Sequence, residues 1–254
     1  MVEAQHDWIT LHRVRHTTAL GPASHDYVPV PTASCIRLGY DGIIGEHPMT
    51  HIWVGWCIHP SLADAEVAMA APEAIFPFVA KAAESWHVLL LPYTHRGAVN
   101  WRGKVEVGSA IRTGPDPGGP LVVITTAGYD AMGPEDMPRM TAFLRRVPLT
   151  KDFIEKAEGN VRTAIYASCD DRDGITFTLW ASDAAMVAAA YGAGAHHTQL
   201  LHHRVEPLFD LSSFTRARVI RSCGNWDGSD PVRQIPAGRA LETSSEKPIT
   251  RTSI

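Results

Sequence analysis

The feature that most constrains this chain is a plan that its sequence carries twice. Residues 52–91 and 175–220 each read as an apolar strand running into a tryptophan (Trp56, Trp180), a capped Ala-rich helix, a break, a second helix and a closing strand. Asp64 and Asp183 stand at similar places near the two helix starts. In the second copy Ile175, Phe177 and Leu179 alternate with threonines, the period-2 pattern of a half-buried strand. Ser182 or Asp183 can accept from the free N–H groups of a helix over Ala184–Ala190. Gly192 and Gly194 then break that helix, a second helix is expected over His196–Arg204, and a strand over Phe214–Ile220 closes the unit. The first copy gives a strand over His51–Ile58, helices over Leu62–Met69 and Glu73–Glu84, and a strand over Trp86–Leu91.

Each copy has earlier strands of its own. Trp8–Ala19 and Cys35–Leu38 precede the first; Leu121–Thr126 and Asn160–Ala167 precede the second, with a helix over Pro134–Val147 between them. Two β-α-β-β-α-β-like units predict an α+β fold in which two tandem ferredoxin-like repeats, residues 1–110 and 111–224, form a dimeric-type α+β barrel with helices outside. A barrel of this kind is expected to enclose a central cavity, the natural place for a small-molecule site. Residues 225–254 are polar and are expected to form a tail lying on the surface or on a partner subunit.

Composition narrows the function classes. The 254 residues are 45% hydrophobic and 20% charged, enough for a packed core. A net charge of -4 without any basic run argues against nucleic acid as a partner. Cys35, Cys57, Cys169 and Cys223 form no CxxC pair, so they read as reduced thiols rather than as a zinc or redox site. The N-terminal MVEAQHDW lacks the apolar stretch of a signal peptide, and no apolar run approaches a membrane span, so a cytoplasmic location is expected. Phosphate-loop, dinucleotide and nucleophile-elbow motifs are missing.

The chemistry-bearing residues concentrate in the second copy. His196, His197, His202 and His203 offer no pair at i, i+3 or i, i+4, which removes a zinc site built on one helix. A site that needs only one imidazole is not removed by this, and the spacing leaves open which histidine would serve. Arg216 and Arg218 alternate and so share one strand face; together with Arg204 they could meet an anionic ligand or substrate if that face points into the cavity. Trp56, Trp86 and Trp180 suit a core or an aromatic cavity wall.

Several ordered stretches resemble one known family. They are AAESWHVLLLPYTHRG (Ala82–Gly97) with Trp101 and Gly103, ITFTLWASDAAMVAAAYGAGAH (Ile175–His196), Arg204, Phe209 and Arg216–Val219. Over residues 33–228 the chain is similar to the spheroidene monooxygenases, which oxidise carotenoids. The resemblance implies a haem cofactor in a dimeric-type α+β barrel, with His196 as the iron ligand and Arg204 and Arg216 as further cofactor contacts. It implies catalytic roles for Arg218 and for Arg37, which stands where the family carries lysine. Cys35 and Ile36 replace the aromatic pair that usually precedes that lysine, and the loop Asp41–Met49 and the polar tail also depart from the carotenoid enzymes, so the substrate does not carry over.

The implied activity is a haem-dependent monooxygenase of secondary metabolism. Its substrate is expected to be an apolar, polyene- or polyketide-like small molecule, its electron donor is unidentified, and a homodimer is compatible but not required. The alternatives are a haem Lewis-acid dehydratase or rearrangement enzyme of the aldoxime dehydratase kind, a cofactor-free cyclase or isomerase using groups such as His16, His87 or His95, and a carrier for an apolar molecule.

Overall fold

The computed structural model describes residues 5–21, 28, 33, 35–43, 49–97, 111–128, 135, 137–169, 173–191 and 211–236. Eight strands alternate with short helices: β1 (Trp8–Leu20), β2 (Cys35–Asp41), β3 (Thr50–His59), α1 (Leu62–Ala70), β4 (Glu84–Gly97), β5 (Leu121–Gly128), α2 (Met137–Leu144), α3 (Val147–Glu155), β6 (Asn160–Ser168), β7 (Asp173–Trp180), α4 (Asp183–Tyr191) and β8 (Leu211–Gly224). The strands close a barrel in the order β1-β3-β2-β6-β7-β5-β8-β4, and every ladder is antiparallel. The two halves repeat one strand order, β4-β1-β3-β2 and β8-β5-β7-β6, joined through β2 with β6 and β4 with β8.

Alternation along the strands decides what faces inward. Ile9 and Leu11 of β1, Val54, Trp56 and Ile58 of β3, Trp86, Val88 and Leu90 of β4, Phe177 and Leu179 of β7 and Ala217 of β8 meet in one buried cluster. Large side chains fill the interior, so the barrel centre is a packed core and not the ligand cavity expected from the sequence. Trp226 completes the filling from beyond β8: it is 4% exposed, 5.3 Å from the Trp86 ring, 6.0 Å from Phe177 and 4.6 Å below the Arg13 guanidinium. Residues 225–236, read from composition as the start of a surface tail, therefore cap one end of the barrel. Asp230 anchors this cap by accepting from Trp86 Nε1 at 3.1 Å and from Ser222 Oγ at 2.7 Å.

On the outer face of the first half, Tyr40, Trp53 and Cys57 pack against Ala68 of α1 and against Ile75, Phe76 and Phe78. These last three lie in and beside two 3-10 turns, Pro72–Ala74 and Pro77–Lys81, and not in the continuous helix expected over Glu73–Glu84. Pro72 and Pro77 each open a new turn because proline cannot donate to a preceding carbonyl. Gly55 makes room for this packing: a Cβ there would lie 2.5 Å from the Phe76 ring. A helix that the sequence pattern does not announce, α3, starts on Val147–Pro148, where proline suits a first helical turn. Ser182 acts as one of the caps expected, accepting from Ala185 N, and Ser61 caps α1 in the same way by accepting from Asp64 N, each at 3.2 Å.

Candidate functional site: an apolar cavity outside the barrel

In the second half the space between sheet and helices stays open. A cavity of ≈ 200 Å³ is floored by Val123, Thr125 and Ala127 of β5, Thr176 and Thr178 of β7, Phe214 and Ser212 of β8 and Ile165 of β6. Its roof is Phe143 and Leu144 of α2, Val147, Lys151 and Ile154 of α3, and Met186, Ala189 and Ala190 of α4. Floor residues of neighbouring strands are ladder partners: Thr125 pairs with both Thr176 and Phe214, and Val123 with both Thr178 and Arg216. The floor thus crosses four strands, about 14 Å at the usual strand spacing. Small and hydroxyl-bearing residues on the floor, with an alanine-rich helix above, leave the gap that Phe76 and Phe78 fill in the first half.

Arg216 and Arg218 lie on this outer face, as the alternation along β8 predicts, but they differ in what they can do. Arg216 shares its ladder row with the floor residue Val123, and its guanidinium lies 5.6 Å from the Phe214 ring centre. Among the described residues no carboxylate pairs with it. Arg218 is 5% exposed and bonded to Asp116, Asp183 and the Gly119 carbonyl. Burial works against its charge, but those carboxylates outweigh burial and hold it protonated far above the pH range of proteins. Burial and the bond to Asp183 push the Tyr93 hydroxyl up to about 12, so it remains a donor.

The other sequence candidates are distributed differently. Arg37 pairs with Trp56 across the β2–β3 ladder, in the half of the barrel away from the cavity floor. His196 and Arg204 lie outside the described residues, as do His197, His202 and His203. On either side of the segment that carries them, α4, whose Ala190 lines the cavity, ends at Tyr191, and β8, whose Ser212 is on the floor, begins at Leu211.

Sequence reasoning does not single out Lys151, Thr125 or Thr176 as site residues. The threonines alternating with Ile175 and Phe177 are the signal for the floor, since a polar alternation can face a cavity as readily as solvent. Lys151 stays hidden because α3 itself does.

Histidines of the first half form a separate buried group. His12 Nδ1 lies 3.0 Å from His87 Nδ1, and His87 Nε2 lies 3.1 Å from Ser85 Oγ. His59 Nε2 meets Thr10 Oγ1 at 3.0 Å, while its Nδ1 and the Nε2 of His12 are buried with no hydrogen-bond partner among the described residues. Burial lowers the pKa of all three; for His12 the neighbouring His87 and His59 lower it further. They are neutral at pH 7 and lie on the opposite half from the cavity, so His87 takes no part in that site. No described group of three or more His, Cys, Asp or Glu side chains is arranged to hold a metal ion.

Comparison with known proteins agrees with this architecture. An aldoxime dehydratase structure superposes with a TM-score of 0.57 at 10% identity, covering 92% of this chain and 89% of that one. The chain therefore has the barrel fold of that enzyme. Among curated proteins it is similar to the spheroidene monooxygenase of Cereibacter sphaeroides, 25% identical over 207 residues, and to that of Rhodobacter capsulatus, 26% identical over 195 residues. The matches cover 79% and 77% of this chain but 59% and 76% of the two relatives, so the chain spans little more than half of the first. No family model matches. The resemblance to spheroidene monooxygenases read from the sequence is thus upheld, and no described helix is long and apolar enough to cross a membrane.

Proposed function

We propose that this chain is a haem-dependent monooxygenase of secondary metabolism that takes an apolar, polyene- or polyketide-like small molecule into the outer cavity of its second half. One observation carries the reading: an apolar slot between sheet and helices with Arg216, which has no carboxylate partner among the described residues, on the same strand face. Apolar walls beside a cation are the chemistry that haem, an apolar macrocycle with an anionic edge, calls for. No imidazole is among the described lining residues; the resemblance to the spheroidene monooxygenases makes His196, between α4 and β8, the residue proposed as iron ligand. Arg216 and Arg204 would pair with the propionates.

Haem bound here would supply an iron centre able to activate oxygen. The chain's own contribution is to exclude water with the apolar roof, to orient the substrate over the threonine-bearing floor, and to offer hydroxyl donors at Thr125 and Thr176. Duplication of a ferredoxin-like unit over residues 1–110 and 111–224 accounts for the repeated strand order. An electron donor and a cytoplasmic location belong to the same proposal; a homodimer is not needed to complete the barrel, which closes within one chain.

The test is the visible spectrum of protein purified from cells supplied with iron and a haem precursor, beside His196→Ala. A Soret band that shifts or disappears in the variant supports both cofactor and ligand. An unchanged band moves the ligand elsewhere, and no band even after added hemin overturns the haem reading. Haem uptake without oxygen consumption would favour the dehydratase chemistry instead.

A further inference from the structure

Arg218 holds three separate segments together. Its Nε and Nη2 donate to Asp116 Oδ1 and Oδ2 at 2.7 and 2.9 Å, and its Nη1 donates to the Gly119 carbonyl at 3.0 Å. Nη2 also lies 2.8 Å from Asp183 Oδ2. Tyr93 closes the network: its hydroxyl donates to Asp183 Oδ1 at 2.8 Å, and its ring centre is 4.5 Å from the guanidinium carbon. All three nitrogens of the fork bond to protein acceptors, which accounts for four of its five N–H groups, and Arg218 is not among the described residues lining the cavity. The catalytic role that the family resemblance implies for it does not suit this geometry.

What the network does fix is Asp183, the first residue of α4. This helix has nine residues, is mostly alanine, and buries only Met186 and Ala189, so apolar burial alone holds it weakly. Yet Met186, Ala189 and Ala190 form part of the cavity roof. We propose that Arg218 is a positioning residue: acting through Asp183, it sets where α4 rests on the sheet, and so the width of the cavity and the place from which the chain departs toward His196. This inference rests on the cavity as the ligand site, not on which ligand occupies it.

The test uses Arg218→Met, Asp183→Asn, the double variant and Arg218→Lys, read by amide hydrogen exchange over residues 183–191 and by hemin titration. Both single variants should speed α4 exchange at least tenfold while β5 and β7 stay unchanged. They should weaken hemin binding about tenfold and alter the Soret band shape. The double variant should be no worse than Arg218→Met, since both changes cut one tether. Lysine should fail to rescue, because it lacks the planar fork.

Unchanged α4 exchange in Arg218→Met overturns the proposal. So does lost hemin binding with unchanged exchange, which would make Arg218 a direct ligand contact. If Arg218→Met does not fold, Asp183→Asn, altered at a half-exposed carboxylate, decides by the same readouts. If the parent protein takes up no hemin, the cofactor reading fails and the exchange data alone decide the tether.

Discussion

His59 gives a prediction whose size follows from its surroundings. It is 1% exposed, and burial lowers its pKa from 6.5 to about 4, with Asp64 pulling weakly the other way. The folded state therefore keeps His59 neutral, whereas the unfolded chain takes up a proton as pH falls through 6.5. Between pH 6.5 and 4 the unfolded state binds more protons, so stability falls as pH falls. Well above pH 6.5 the effect vanishes, and well below pH 4 it is complete. Linkage over this window gives a loss of about 2 kcal/mol at pH 5 and about 3 kcal/mol at pH 4, relative to pH 7.5.

Replacing His59 by glutamine places an uncharged amide near Thr10 Oγ1, where Nε2 now bonds at 3.0 Å. Urea unfolding, followed by fluorescence of the buried tryptophans, should be run on both proteins at pH 7.5 and 5. The parent should lose about 2 kcal/mol more than the variant over that interval. His12 and His87 are lowered in the same direction and remain in both proteins; His59 comes only third among the causes at His12, after burial and His87, so most of their contribution cancels in the difference. The carboxylates Glu84 and Asp116, held below their usual range, act at lower pH and do not enter this interval. Equal losses in the two proteins would refute the reasoning, because a buried histidine that is not kept neutral cannot oppose folding in acid.

Three further outcomes follow from packing. Gly55→Ala should destabilise the protein by about 1–3 kcal/mol, since the new methyl meets the Phe76 ring, and Phe76→Leu in the same chain should recover part of the loss in urea unfolding. Trp226→Ala should cost about 3–5 kcal/mol, because the barrel end loses the ring that fills it between Trp86 and Phe177; calorimetry would read this. Thr176→Phe should fill the cavity from its floor, weakening hemin binding at least tenfold while the urea-derived stability stays within about 0.5 kcal/mol of the parent.

The repeated pattern around Trp56 and Trp180 carries the two-fold plan of the barrel, because burial on one strand face imposes period 2 and helix packing imposes capped Ala-rich segments, whatever lies across from them. Ser61 and Ser182 are legible as caps for the same reason: a cap bonds within its own few residues. Pro72 and Pro77 are equally local signals, and they, rather than the apolar spacing between them, decide that the expected second helix breaks into two short turns.

What the sequence by itself determined is therefore the strand pattern, the starts of α1 and α4 and the likeness to spheroidene monooxygenases. Only tertiary structure decided where space is left. Whether a row of side chains forms a core or a cavity depends on volumes brought together from distant segments: Trp226 fills the barrel from beyond β8, Phe76 fills the first-half cleft over Gly55, and the threonines of β5 and β7 face alanines of α4 with nothing between. The same holds for Arg216 and Arg218, two residues apart on one strand face. Their shared face was legible from alternation, but Asp116, Tyr93 and Asp183 come from three other segments, and only their convergence makes one arginine a tether and leaves the other beside the cavity.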